Sequence, residues 1–304
     1  MINFKEIHLS DKNIIDSYLA GNMFRSCGFC FTNMLAWQVK FKTTFAVIEQ
    51  TLFVRYFDAD EKTLCYLMPV GKMDLQRSLS TIIDDAKENN VKFTMKHITQ
   101  DMWDNINTVM PNTFQRQNDR DNDDYIYLRE RLVSLSGRKL QSKRNHINRF
   151  KLDNPQWEYL TLSSQKDMDE CSDMLDKWDD LNIHKARESL QYDYLATKIM
   201  LENFHFLQLR GGAIRINGKI VAFTLGEQLT GDTFVIHVEK AYNGINGAYA
   251  IINQQFAERE AAAYKYINRE EDMGLDYLRK AKLSYYPDIL LQKNTLVLPL
   301  SQVS

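Results

Sequence analysis

Apolar residues along this chain switch between alternating and helical spacing in the same order twice, and that repeated order limits the fold more than any other feature. In the first half, helical spacing covers 11–19 and 32–40. Strand-like runs follow at 45–49, 51–57 and 64–70, then a helix at 74–88 with Leu75, Leu79, Ile82 and Ile83 on one face. A strand at 91–97, a short helix at 101–109 and a strand at 125–128 complete this half. The second half opens with a helix over 136–152, a strand at 157–162 and helices at 165–181 and 190–203. Strands at 206–216 and 220–229 flank Asn217-Gly218, a strong hairpin signal. A strand at 234–239, a helix at 248–262, a strand at 264–268, a helix at 275–283 and a strand at 289–298 close the chain. Each half therefore carries a hairpin, a further strand, then alternating helix and strand. No repeat is visible at the level of residues. The expectation is an α/β protein with mixed sheets, in two domains covering 1–130 and 131–304.

Composition excludes several classes. Sixteen Phe, fifteen Tyr and four Trp give ample surface to bury, so the chain is not disordered. A formal charge of -2 creates no global field toward nucleic acid or membrane, and any such attraction must come from a local patch. No run approaches the ~18 apolar residues of a membrane span, and the first residues lack the pattern of a secretory signal. No transmembrane segment and a cytoplasmic location are expected. Four cysteines in 304 residues do not make a disulfide framework.

Five stretches hold residues suited to chemistry. Cys27-Gly28-Phe29-Cys30 has thiol-exchange spacing, but it follows a helix rather than a strand and has no second pair to complete a zinc site. Packing cysteines and no metal are expected. Residues 129–151 hold eight cations, among them Arg138, Lys139, Lys143, Arg144, Arg149 and Lys151, opposed by Glu130 alone. Such a helix suits phosphates or an RNA backbone as well as a solvated face, and Asn145 and Asn148 add polar reach. Between a strand and a helix, Gly244 and Gly247 can leave backbone N–H groups free for an anion, or simply make the turn. His237 and Glu239 share a strand face, where a hydrogen-bonded core histidine competes with a base. Finally, Asn268-Arg269-Glu270-Glu271-Asp272-Met273-Gly274 leaves a strand before a helix bearing Arg279 and Lys282 and ending at Tyr285. Acids and cations there make a surface salt-bridge cluster or a transfer site.

The stretch from Leu135 to Phe150, Leu-Ser-Gly-Arg-Lys-Leu-Gln-Ser-Lys-Arg-Asn-His-Ile-Asn-Arg-Phe, resembles the central motif of the family named for the C-terminal domain of phosphatidylglycerol lysyltransferases. Residues 268–274, continued by 278–287, resemble its second motif, and Phe31-Thr32-Asn33-Met34-Leu35-Ala36-Trp37 is similar to its N-terminal stretch. The resemblance implies two tandem GNAT-like domains, that is, acyl-CoA N-acyltransferase-like, related to Fem-type aminoacyltransferases that use aminoacyl-tRNA. It implies that Lys143, Arg144, Asn145 and Asn148 lie near the donor or the domain interface. It also implies that Asn268, Arg269, Glu270, Glu271, Asp272, Arg279, Lys282 and Tyr285 line the transfer cleft. Two departures bear on substrates. The lipid lysyltransferases carry a large membrane-embedded region ahead of this domain, which this sequence does not show. The spacing of Gly244 and Gly247 differs from the Gln/Arg-x-x-Gly-x-Gly/Ala coenzyme A loop.

The expected function is therefore transfer of an acyl or aminoacyl group to an amine or hydroxyl, with aminoacyl-tRNA favoured over acyl-CoA as donor. The acceptor is left open among small molecules, lipids and peptides. Glu271 or Asp272 would orient or deprotonate the nucleophile. Arg279 and Lys282 would hold negative charge, and Tyr285 would protonate the leaving group. The alternative is a non-catalytic protein of the same fold that binds tRNA or another phosphate-rich ligand.

Overall fold

The computed structural model describes residues 2–21, 24–58, 62–182 and 187–299, with the side chains of 187–189 left aside. The chain divides into two compact units. The first comprises 1–124, 271–275 and 290–304, and the second 125–270 and 276–289.

In the first unit, β1 (Lys5–Glu6) leads into α1 (Lys12–Leu19), α2 (Phe31–Ala36) and α3 (Gln38–Phe41). The helix expected over 32–40 is thus broken at Trp37, whose backbone leaves helical geometry (φ -87°, ψ 1°). Strands β2 (Thr44–Ile48), β3 (Thr51–Asp58) and β4 (Thr63–Tyr66) form a meander, and β5 (Val70–Gly71) pairs with β3. Helix α4 (Leu75–Glu88) starts where the Asp74 carboxylate accepts the Arg77 N–H, and it buries Leu79, Ile82 and Ile83 as its spacing predicts. It is followed by β6 (Thr94–Ile98), α5 (Gln100–Val109) and β7 (Gln115–Asn118).

In the second unit, β8 (Asp124–Leu128) is followed by α6 (Arg129–Ser134), a 3-10 turn at Arg138–Leu140, and α7 (Gln141–Asp153). Then come β9 (Glu158–Thr161), α8 (Gln165–Asn182), α9 (Arg187–Glu202) and α10 (Phe204–Leu207). Strands β10 (Arg210–Ile216) and β11 (Lys219–Gln228) are joined by Asn217 and Gly218, both at positive φ, as a two-residue hairpin turn requires. Strand β12 (Thr233–Ala241), helix α11 (Ala248–Arg259), strand β13 (Tyr266–Asn268) and helix α12 (Asp276–Leu283) follow. The strand expected over 289–298 is two, β14 (Ile289–Leu291) and β15 (Asn294–Val297), and they belong to different sheets.

The first sheet runs β1-β2-β3-β4-β6-β15-β7, and the second, read from its far edge, β9-β10-β11-β12-β13-β8-β14. The two orders match position for position. In each, four antiparallel strands are followed by a fifth that runs parallel to the fourth. In each, a strand from a distant part of the sequence lies next: β15 between β6 and β7, and β8 between β13 and β14. The second unit's core is built on α11, which buries Ala248, Ile251, Ile252, Phe256 and Ala257 against Phe234 of β12 and Leu132 of α6. That helix buries Asn253 and Gln255 along with its apolar residues, because it is covered on most sides.

Candidate active site

In the second unit the parallel strands β12 and β13 pair only at Thr233–Val235 with Tyr266–Asn268. β12 then runs on to Ala241 while β13 ends, so beyond this point the two strands no longer pair. Crevices at the carboxyl ends of parallel strands are common ligand sites.

Two buried polar groups sit there. Arg269 follows β13 directly, and its guanidinium pairs with Glu239 of β12 at 2.8 Å, the two side chains being 9% and 12% exposed. Glu239 also accepts from the Asn253 side-chain amide of α11 at 2.9 Å. Arg269 Nη1 is buried and makes no hydrogen bond. Its guanidinium carbon lies 5.0 Å from the Tyr285 ring centre and 5.7 Å from that of Tyr127. Lys143 of α7 places its ammonium 4.1 Å from the Tyr285 ring. Burial, with the Arg269 charge beside it, pulls the Lys143 ammonium below lysine's ordinary pKa. Burial pushes the Tyr285 and Tyr127 hydroxyls far above the usual phenol value, so both keep their protons. Two cations beside one acid, with one buried guanidinium nitrogen unbonded, favour an incoming anion.

His237 of β12 forms the second group. Its Nδ1 lies 2.8 Å from Glu270 and its Nε2 3.0 Å from Glu227, and the imidazole is wholly buried. Burial opposes its charge, but the bonds to the two carboxylates prevail and raise its pKa to about 9. A bulge places it: Leu225 pairs with Val238 and Gly226 with Ile236, which leaves His237 as the extra residue. Gly226 is needed there, because a Cβ would lie 2.2 Å from the Val235 carbonyl oxygen.

The consecutive acids divide between the units. Glu270, at φ 59°, turns to His237, and its N–H donates to the buried Asn268 side chain at 2.6 Å. Glu271 belongs to the first unit, where its carboxylate lies 2.9 Å from Cys27 Sγ and 3.2 Å from Lys293 Nζ. Asp272, fully buried in the first unit, accepts the Gly274 N–H at 2.9 Å and lies 3.5 Å from Arg120. In the second unit Arg279 is half-buried on α12, and Lys282 stands 5.8 Å from the Tyr125 ring while its carbonyl accepts from Tyr127.

On α7, Arg144 is half-buried; it donates to the Leu135 and Gly137 carbonyls and ties down the preceding turn. Asn145 and Asn148 are exposed. Gly247 sits at φ 81° where a Cβ would lie 2.3 Å from the His146 carbonyl oxygen, whereas Gly244 faces open space. Sequence reasoning passed over Glu227, Asn253, Tyr127, Asp124 and Lys293. For Glu227 a signal existed, since a glycine inside an apolar strand marks a bulge. A buried lysine such as Lys293 leaves no pattern of its own.

All four cysteines are buried, and none is in a disulfide. Cys27 is not exposed as a thiol-exchange site would require; it contacts Asp124, Glu271 and Lys293 within the first unit. Among the described residues no helix is long and apolar enough to cross a membrane.

A conserved Bacteroides thetaiotaomicron protein of unknown function has the same fold, with 40% identity, a TM-score of 0.92, and coverage of 98% of this chain and all of the other. L-PGS from Bacillus licheniformis is 16% identical, with a TM-score of 0.65 over 94% of this chain and 91% of its own. An uncharacterised Mycoplasmoides gallisepticum protein is 23% identical over 172 residues, 56% of this chain and 54% of that relative, so the match spans about half of its length. The architecture is that of two α/β units, each built on a mixed sheet of the same strand order. The model of the family described as phosphatidylglycerol lysyltransferase, C-terminal, matches residues 23–295, nearly the whole chain, and the protein belongs to that family.

Proposed function

We propose that the protein is a transferase that moves an activated acyl or aminoacyl group onto an amine or hydroxyl, with the reacting groups in the second unit. The observation that carries this reading is the pairing of an unsatisfied buried guanidinium, Arg269, with a two-carboxylate histidine relay on the neighbouring residues. An oxyanion formed at the carbonyl would be received by Arg269 Nη1 and the Lys143 ammonium. The attacking nitrogen or oxygen would give its proton to Glu270, whose charge His237 holds. The carbonyl's bond to the leaving oxygen then breaks, and that oxygen takes a proton from Tyr285 or solvent.

Family membership favours aminoacyl-tRNA as the donor. On α7 and the turn before it, the exposed cations are Arg138, Lys139, Arg149 and Lys151. A nucleic-acid backbone would meet these, and binding would weaken steeply with salt. The test is transfer from a mixture of charged tRNAs to amine and hydroxyl acceptors, with wild type beside Arg269→Gln and Glu270→Gln. Transfer should fall about 10²–10⁴-fold in each variant. Equal rates in folded variants would overturn the assignment.

A further inference from the structure

The mechanism above leaves one buried reactive group unused, the polar cluster of the first unit. Cys27 Sγ lies 3.4 Å from Lys293 Nζ, and these residues are 3% and 1% exposed. Asp124 holds the same ammonium at 2.7 Å and Glu271 at 3.2 Å, while the thiol lies 3.2 Å and 2.9 Å from those two carboxylates. The position is fixed from several sides. The Cys27 N–H donates to Asp124 at 2.9 Å, its carbonyl accepts from Asn33 at 3.0 Å, and the Lys293 N–H donates to Asp123 at 2.9 Å. A sulfur and an amine nitrogen are thus held in contact, with two carboxylates placed to take a proton from either.

We propose that Cys27 and Lys293 are a site of oxidative cross-linking, closing to a sulfenamide between Sγ and Nζ when the protein meets a hydroperoxide. In the first step the thiol passes its proton to Glu271 and the sulfur attacks one oxygen of hydrogen peroxide. The O–O bond breaks, and the departing hydroxide takes up that proton to leave as water. Sulfur is oxidised by two electrons to the sulfenic acid, and peroxide is reduced. In the second step Lys293 gives its ammonium proton to Asp124, and the freed lone pair on Nζ attacks sulfur. The S–O bond breaks and its hydroxide leaves as water with the proton held by Asp124. The amine then loses one further proton to solvent to leave the neutral S–N bond. Once the chain is unfolded or digested, a thiol reductant reverses the link by attacking sulfur and releasing the amine.

The experiment is a peptide map of the intact protein after hydrogen peroxide, without reduction. The expected product joins the Cys27 peptide to a peptide spanning Lys293, lighter by two hydrogens than their sum. Trypsin should fail to cut after Lys293, and dithiothreitol should restore both peptides. Cys27→Ser should abolish the joined product. Recovery of Cys27 only as sulfinic acid, only in a disulfide with Cys30, or unmodified while Lys293 is cleaved normally would overturn the proposal. The wild-type map alone decides, so the result does not depend on any variant folding.

Discussion

His237 carries a charge that the fold itself maintains, and the consequence is measurable. Its pKa is raised from 6.5 to about 9 in the folded protein. The stabilisation is therefore complete below about pH 6.5 and is lost as pH rises through about 9. The unfolding equilibrium should shift toward unfolded on the order of 100-fold across that window, read from urea melts at a series of pH values. His237→Gln should flatten the slope. Arg269 is a second case, because removing it leaves Glu239 buried without its cation. Arg269→Gln should cost about 3–5 kcal/mol, and Glu239→Gln in the same chain should recover part of it. A double-mutant cycle by denaturant melts checks this; additive losses would show that the pair is not coupled.

At the level of elements, the turn between β12 and α11 separates two glycines that look alike in sequence. Gly247→Ala should destabilise by about 1–3 kcal/mol, since it brings both a positive φ and a backbone clash, while Gly244→Ala should stay within about 0.5 kcal/mol. Thermal melts of the two variants make the comparison. Arg144→Ala should likewise lower stability, by about 1–3 kcal/mol, because it strips the Leu135 and Gly137 carbonyls of their donor. These cases show what can be read from the chain alone. Helices such as α4 and hairpins such as β10–β11 follow from spacing and from Asn217-Gly218, because those signals are local. The motif residues Lys143, Arg269, Glu270 and Tyr285 were legible as chemically able. Their partners were not, because Glu227 and Tyr127 reach them only through strand pairing and a bulge, and Asn253 reaches Glu239 from a helix. The separation of Glu270 from Glu271 was hidden for the same reason: neighbours in sequence can enter different units.

At the scale of the whole molecule, each sheet is completed by a strand from far along the sequence. A chain that stops after residue 291 would lack β15, leaving β6 and β7 without the strand that pairs with both. Such a truncation should abolish cooperative unfolding of the first unit while α11 and the strands around it remain protected, as hydrogen exchange resolved by peptide would show. Equal protection throughout the first unit would contradict that expectation. The same topology sets a schedule on the ribosome. β6 and β7 are made before the second unit, but the strand that joins them is made only after it. The half made first must wait through synthesis of the other, with two sheet edges open to any chaperone or neighbouring nascent chain that reaches them.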